Sequence, residues 1–264
     1  MTTSGPAILY EVSGGQARIT LSNAARHNAM TLGMWQDLPK AVARAVADDA
    51  VRIIVVAGAG EKAFCAGADI SEFGETRSTE EQIGIYNEAV EQANVVLAGA
   101  SKPTIALIRG ICFGGGFGLA MSCDLRLATD DSRFRIPAAR LGLGYDYSGI
   151  ESLVRKIGMA GVAELLLSAR IFDSADAQRY QILHRLWPRA DFEAGAEGYL
   201  GDMASNAPLT LQAVKRALIE ISRPEAEREP AAADALVAKC FASLDYKEGQ
   251  RAFLEKRPPV FRGI

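Results

Sequence analysis

The sequence has 264 residues, 49% of them hydrophobic, which is enough to bury one large core with or without a small appendage. Its net charge of −3 comes without a basic block, which argues against nucleic acid or an anionic membrane surface as a partner. The four cysteines show no CxxC pairing and there are only two histidines, so we expect no metal site and a reducing, cytoplasmic location. Residues 1–6 lack the features of a secretory signal, and no apolar run of about 18 residues predicts a membrane span.

The first predicted elements are a hairpin, a helix and a buried strand. Residues 8–12 and 17–21 flank the turn sequence SGG and indicate a β-hairpin. Apolar residues then recur at helical spacing from Leu32 to Val46, and we expect Pro39 to kink this helix or to lie in its first turns. Residues 51–57 are β-branched and nearly all apolar, which is typical of a strand buried on both faces.

The middle of the chain continues the alternation of helices and strands. A capping box at residues 79–82 predicts a helix that runs to about residue 97. Residues 103–109 and 124–128 read as two further buried strands.

Beyond Gly149 the pattern becomes almost wholly helical, as at residues 174–178 and 208–221, and the charged stretch at 223–230 reads as a solvated turn. Strands that alternate with helices, followed by a helical tail, predict an α/β fold. We expect a core over residues 1–200 and an α-helical C-terminal region over residues 201–264. No internal repeat is visible in the sequence.

Two kinds of glycine loop compete as binding sites. Residues 58–63, GAGEKA, match a dinucleotide-binding fingerprint, but the sequence that follows has no helical period, so this assignment is disfavoured. Residues 63–70 and 113–118 each follow a strand and contain small residues that leave backbone N–H groups unobstructed. Two such N–H groups converging on one point would form an oxyanion hole. Either loop alone could equally be a tight turn that needs glycine for packing.

Several short segments, in this order and at these spacings, are together highly specific. They are RHNAM at 26–30, AFCAGADI at 63–70, KPTIA at 102–106, the glycines at 110 and 114–116, CD at 123–124, and FLEKR at 253–257. Over essentially its full length the chain resembles the crotonase superfamily, the enoyl-CoA hydratase/isomerase family. The resemblance implies a spiral of ββα units and a C-terminal helical region that mediates trimerisation. It also implies a homotrimer or a dimer of trimers.

The resemblance implies an acyl-CoA substrate whose thioester carbonyl lies between the backbone N–H groups of Ala68 and Gly115. It implies no cofactor, since CoA is part of the substrate. The positions that correspond to the CoA-binding and substrate-binding residues of the family are Arg26, His27, Ala29, Ala66, Asp69, Ile70, Gly114 and Lys256. Arg26 and Lys256 could also be ordinary solvated charges.

The chain departs from the family at the two catalytic glutamates of its hydratases. Those positions are occupied by Gly118 and Ala138, so the usual acid and base for syn addition of water are missing. Asp146 remains as a candidate, because it falls where dienoyl-CoA isomerases carry an essential aspartate and where 4-chlorobenzoyl-CoA dehalogenase carries its nucleophile. Dehalogenation is disfavoured, because the tryptophan and histidine positions of that enzyme fall at Ala138 and near Glu91.

Two interpretations of Asp146 stay open. Burial between Tyr145 and Tyr147 would raise its pKa into a useful acid/base range, whereas a simple helix cap near Gly149 would need no catalytic role. Further carboxylates, each of them also a plausible surface charge, are Glu72, Glu75 and Glu91. Cys65 adjoins the first loop without a partner histidine, so thiol catalysis is not expected.

The sequence therefore predicts a crotonase-type lyase or isomerase that stabilises an enolate in an oxyanion hole, with Asp146 as the acid/base. The alternative is a non-catalytic acyl-CoA-binding homologue that kept the pocket and lost the acid/base pair.

Overall fold

The structure, a computed structural model, describes residues 5–264. Residues 1–4, which belong to the segment that predicts no secretory signal, therefore lie outside the described residues. Within residues 5–264, no helix has both the length and the apolar character that crossing a membrane requires.

The strands of the described residues are β1 (Ala7–Ser13), β2 (Gln16–Ser22), β3 (Ile53–Gly58), β4 (Ala63–Cys65), β5 (Thr104–Ile108), β6 (Ile111–Phe113), β7 (Leu125–Thr129), β8 (Arg133–Arg135), β9 (Phe172–Asp173) and β10 (Arg185–Trp187). The α-helices are α1 (Leu32–Ala47), α2 (Phe73–Thr76), α3 (Glu80–Ala98), α4 (Gly115–Ser122), α5 (Ala138–Leu141), α6 (Tyr147–Ser168), α7 (Ser174–Arg179), α8 (Phe192–Ser205), α9 (Pro208–Ser222), α10 (Pro230–Ala242) and α11 (Leu244–Glu255).

Two sheets organise the first part of the chain. The larger sheet has six strands in the order β1-β2-β3-β5-β7-β10, and all its neighbours are parallel except the β1–β2 hairpin. The smaller sheet has the order β4-β6-β8-β9, of which the first three strands are parallel. The α/β class and the predicted hairpin are confirmed.

The chain passes from the large sheet to the small sheet three times, and each time a helical segment follows. The pairs are β3 with β4, β5 with β6, and β7 with β8, followed respectively by α2–α3, by α4 and by α5–α6. This is a spiral of ββα units, as expected. The repeat escapes notice in the sequence because β4, β6 and β8 have only three residues each.

The large sheet is buried on both faces. Along β3, Ile54 and Val56 pack into the main core with α1 and α3, while Ile53 and Val55 pack against α8 on the opposite face. The nearly continuous apolar run at residues 51–57 therefore has the physical cause inferred for it, since both faces of the strand exclude water.

Local signals set the helix boundaries. The capping box of α3 is present in full, with Thr79 accepting from Gln82 N and the Gln82 side chain accepting from Thr79 N. Pro39 lies inside α1, past the first turns, where it removes one backbone hydrogen bond.

Residues 58–63 lead into strand β4 and not into a helix, which agrees with the rejection of the dinucleotide motif.

The C-terminal helices α9 to α11 are attached to the core by a partly buried ion pair. Lys215 of α9 is only 3% exposed and its Nζ lies 2.6 Å from Asp124 Oδ1. The other oxygen of Asp124 accepts the backbone N–H of Thr104 at the start of β5, at 2.8 Å. A helical C-terminal region is therefore present, as expected. The boundary at residue 200 falls inside α8, and the division of the chain at that point stays a prediction.

Candidate active site

The two small-residue loops lie side by side. Residues 66–69 follow β4 and residues 114–115 follow β6, and these strands are parallel neighbours whose carboxyl ends meet at the same edge of the small sheet. A β-carbon added to Gly67 would lie 3.5 Å from the backbone nitrogen of Gly115 and 3.3 Å from the carbonyl oxygen of Phe113. The structure thus brings together the two loops that the sequence singled out.

Glycine is required at two positions of the second loop for different reasons. Gly114 has φ 51° and ψ −122°, a backbone conformation that side chains with a β-carbon disfavour, and it turns the chain into α4. A β-carbon on Gly116 would lie 2.5 Å from the carbonyl oxygen of Cys65, so the first turn of α4 presses directly on β4. Close packing of α4 on β4 fixes the second loop against the first.

The N–H groups of Ala68 and Gly115 find no acceptor among residues 5–264. Met30 ties the first loop down on both sides of Ala68, because its N–H donates to Gly67 O at 2.8 Å and its carbonyl accepts from Asp69 N at 2.9 Å. Gly115 is the first residue of α4, where backbone N–H groups have no acceptor within the helix. Within residues 5–264, neither N–H donates to another protein group, and both residues are half-buried.

Residues 23–30 form a third loop that is bound to the first. The side-chain amide of Asn23 donates to Ala29 O at 2.8 Å and to Asp69 Oδ2 at 3.1 Å, and Ala66 N donates to His27 O at 3.0 Å. Burial acts to raise the pKa of Asp69, but hydrogen bonds from Ser71 and Asn23 outweigh it and lower the pKa. Asp69 is therefore an ionised support that joins the two loops.

The residues matched to the CoA-binding positions of the family fall into two groups. Brought together around the three loops are Arg26, His27, Ala29, Ala66, Asp69, Ile70 and Gly114. Arg26 is exposed, with one guanidinium nitrogen 3.6 Å from Asp69, and His27 is exposed with φ 52°. Lys256 is exposed after the end of α11, and no hydrogen bond or ion pair within residues 5–264 joins it to these loops.

Asp146 is a helix cap, which is one of the two interpretations left open, and the raised pKa that the other interpretation required is not found. Its Oδ1 accepts the N–H of Gly149 at 2.5 Å and the hydroxyl of Ser148 at 2.8 Å, and the side chain is exposed at the start of α6. The backbone hydrogen bond from Gly149 is the main cause that lowers its pKa below the usual 3.8. Burial instead raises the pKa of the neighbouring Tyr145. A catalytic role for Asp146 stays a prediction.

The two positions that lack glutamate differ in their surroundings. Gly118 lies in α4, and a β-carbon added there would meet no atom within 4 Å, so an open space adjoins this position. Ala138 begins α5 and is half-buried. Of the further carboxylates, Glu72 accepts the N–H of Leu32 at 3.0 Å and so supports the start of α1, whereas Glu75 and Glu91 are exposed.

An aromatic pair beneath the loops was not foreseen. Trp35 Nε1 donates to the hydroxyl of Tyr86 at 2.9 Å, and that hydroxyl lies 3.3 Å from its acceptor, Met30 O. A β-carbon on Gly115 would lie 3.1 Å from the ring of Trp35, so the pair contacts the backbone of the second loop at Gly115 and that of the third loop at Met30. Burial raises the pKa of Tyr86 to about 12, which keeps it neutral. In the sequence Trp35 is indistinguishable from a core residue at helical spacing.

Burial keeps Cys65 and His184 in their neutral forms. Burial raises the pKa of the Cys65 thiol to about 12, which agrees with the expectation against thiol catalysis. Burial lowers the pKa of His184 to about 4, and its Nδ1 accepts from Arg126 N, so it is a neutral structural residue beside β10. Within residues 5–264, no cluster of His, Cys, Asp and Glu is arranged to hold a metal ion.

The fold matches solved structures over nearly the whole chain. A crystal structure titled as an enoyl-CoA hydratase/carnithine racemase from Magnetospirillum magneticum superposes with a TM-score of 0.90 at 32% identity, covering 97% of this chain and 96% of that chain. Another, titled as an enoyl-CoA hydratase from Bacillus anthracis, superposes with a TM-score of 0.87 at 26% identity, covering 97% and 99%. The spiral of ββα units with two apposed loops thus defines a protein of the crotonase fold.

The family model for enoyl-CoA hydratase/isomerase matches residues 11–263, and the chain belongs to this family. It is similar to the short-chain-enoyl-CoA hydratase of Clostridium acetobutylicum, with 29% identity over 251 residues that cover 95% of each chain. The chain is therefore a crotonase-type enzyme of a family that acts on acyl-CoA thioesters.

Proposed function

We propose that this enzyme binds an acyl-CoA thioester with its carbonyl oxygen between the N–H groups of Ala68 and Gly115. The observation that carries the proposal is the pair of unpartnered N–H groups on two adjacent, well-braced loops. Donors fixed in advance stabilise the negative charge that develops on the oxygen when the α-carbon loses a proton. The positive end of α4 adds to this stabilisation at Gly115.

The CoA part of the substrate is assigned to the loops around this point. Residues 26–30 and 66–70 are joined by main-chain hydrogen bonds, and Arg26 supplies an exposed cation at their surface. Arg26, His27, Ala29, Ala66, Asp69, Ile70 and Gly114 form the proposed binding surface, and Lys256 is proposed to reach the CoA phosphates. Proton transfer at an enolate moves no electrons to an acceptor, so the proposed reaction needs no cofactor and no metal. The four free thiols suit a reducing cytoplasm.

For the reaction we propose isomerisation by proton transfer in preference to hydration. Gly118 and Ala138 supply neither the base that activates water nor the acid that protonates the α-carbon. A single carboxylate suffices to remove a proton from one carbon of the enolisable system and to return it to another. Asp146 is the proposed carrier, and its lowered pKa means that it is ionised and starts as the base.

The experiment that tests this proposal compares Asp146→Asn with the wild type on 3-enoyl-CoA and 3,5-dienoyl-CoA substrates. We expect isomerisation to fall by about 10²–10⁴-fold. The melting temperature should change little, since asparagine also caps helices. Because the pKa of Asp146 lies below its usual value, the wild-type rate should not fall on account of this group between pH 8 and pH 5.

Asp173→Asn is the matched control. Asp173 caps α7 by accepting the N–H of Asp176 at 2.9 Å, in the same way that Asp146 caps α6. This control should keep full activity. Full isomerase activity in Asp146→Asn would remove Asp146 from the mechanism while leaving the oxyanion site in place.

We also propose that the enzyme is a homotrimer or a dimer of trimers. On α9 the side chains of Val214, Leu218 and Ile221 are 54%, 55% and 64% exposed, and Phe253 of α11 is 84% exposed. Large apolar surfaces of this kind are normally covered by a partner.

Light scattering should therefore show an assembly of three or six chains at micromolar concentration. Leu218→Glu should shift it toward the monomer, whereas Val12→Glu, at a 39% exposed position on the outer strand β1, should not. A stable wild-type monomer would contradict this proposal.

A further inference from the structure

Arg77, close to the end of α2, contacts two aromatic rings. The carbon at the centre of its guanidinium lies 3.9 Å from the ring centroid of Tyr86 and 4.8 Å from that of Phe73. Stacking of this kind favours arginine over lysine, because the guanidinium is planar and weakly hydrated. These two contacts hold the guanidinium of Arg77 against the rings of Tyr86 and Phe73.

The guanidinium of Arg77 lacks an acceptor. Its Nε is buried and makes no hydrogen bond with any group of residues 5–264. No carboxylate in this part of the chain pairs with it either. Glu72 is the acidic side chain that shares the surroundings of Tyr86 with Arg77, and one of its oxygens is occupied by the N–H of Leu32. An arginine donor buried without a partner is costly, so an acceptor from outside the protein would satisfy it.

The position of Arg77 relates it to the thioester site. Tyr86, on which Arg77 stacks, donates its hydroxyl to Met30 O and accepts from Trp35. Met30 braces the loop that carries Ala68, and Trp35 contacts the backbone at Gly115. Arg77 therefore rests on the same buried aromatic pair that supports both carbonyl-binding N–H groups.

We infer that Arg77 is a specificity-determining residue that binds a carboxylate at the far end of the acyl group. The substrate class is then an acyl-CoA whose acyl chain carries a second, anionic end. Arginine binds carboxylate with two parallel N–H donors, which gives orientation as well as affinity. This inference rests on the proposed thioester site, because that site fixes the other end of the acyl chain.

The test is the binding of matched acyl-CoA pairs, measured by calorimetry so that no turnover is needed. The pairs are glutaryl-CoA with pentanoyl-CoA, adipyl-CoA with hexanoyl-CoA, and suberyl-CoA with octanoyl-CoA. In the wild type, the carboxylate member of at least one pair should bind about tenfold more tightly or better. Arg77→Met should abolish this preference and leave the affinity for the neutral member unchanged.

Two further variants test whether misfolding or a general loss of positive charge could explain the result. Arg77→Lys keeps a cation without the planar pair of donors and should keep a smaller preference. Arg44→Met is the matched control, because Arg44 is exposed and also stacks on a tyrosine, with its guanidinium carbon 4.1 Å from the ring centroid of Tyr10. It should change neither member of any pair.

The outcomes separate this inference from the proposed function. Equal wild-type affinity within every pair would overturn the role of Arg77 while leaving the thioester site intact. Equal loss of both members in Arg77→Met would show that Arg77 contacts the CoA phosphates, which also overturns the inference. Failure of every thioester to bind the wild type would remove the proposed function and the inference with it.

Discussion

Gly115→Pro should lower kcat/KM for thioester isomerisation by about 10²–10³-fold relative to Gly115→Ala. Both variants add a β-carbon that meets the ring of Trp35 at 3.1 Å, so they share this contact, and proline adds two further ring carbons. Only proline also removes the N–H that is proposed to bind the carbonyl oxygen. Proline is tolerated in the first position of a helix, which is where Gly115 lies, so α4 should still form.

The measurement is a steady-state comparison of the two variants, with CoA binding followed separately to show that the site is folded. An amide-to-ester replacement at Gly115 deletes the same donor without adding any side chain and should reproduce most of the loss. If proline and alanine are equally active, Gly115 does not bind the oxyanion.

The largest gain of activity is expected from restoring the two absent carboxylates. Wild-type hydration of crotonyl-CoA should be very slow, because each missing acid or base is typically worth about 10²–10⁴-fold in rate. Gly118→Glu combined with Ala138→Glu should raise it by at least about 100-fold. The open space beside Gly118 leaves room for the new side chain, and glutamate is also a better helix former than glycine in α4.

Loss of enone absorbance reports the hydration. Gly118→Gln with Ala138→Gln is the isosteric control, since it fills the same volume without an ionisable group, and it should stay as slow as the wild type. Wild-type turnover of crotonyl-CoA at ordinary enzyme rates, about 1–10³ per second, would contradict the view that the missing glutamates matter.

Sequence patterns predicted the elements whose signals are local. The β-branched run at residues 51–57 and the Thr79 capping box each determine a structure over a few residues, and both were found as expected. The small sheet was not predicted, because strands of three residues are too short to show periodicity. With those strands hidden, the ββα repeat was hidden as well.

In the site, too, local sequence patterns predicted some features, whereas features that depend on residues far apart in the chain were missed. Small residues at 66–68 and 114–116 indicated unobstructed N–H groups, and the structure places the two loops in contact. Of the two interpretations of Asp146 that the sequence left open, the helix cap near Gly149 is confirmed and the raised pKa is wrong, because tyrosine neighbours in the sequence do not show whether a side chain is buried. The aromatic pair Trp35–Tyr86 joins residues far apart in the chain, so no local sequence pattern could predict it.

The main-chain origin of the two donors has a consequence for how such an enzyme can change in evolution. A catalytic side chain is lost by a single amino-acid replacement. A backbone N–H survives every replacement except proline, so a change of side chain at Ala68 leaves its proposed donor in place. A lineage can therefore discard one proton-transfer chemistry and acquire another while retaining thioester binding. The two adjacent loops are then retained during evolution, and new reactions arise by replacement of the side chains around them.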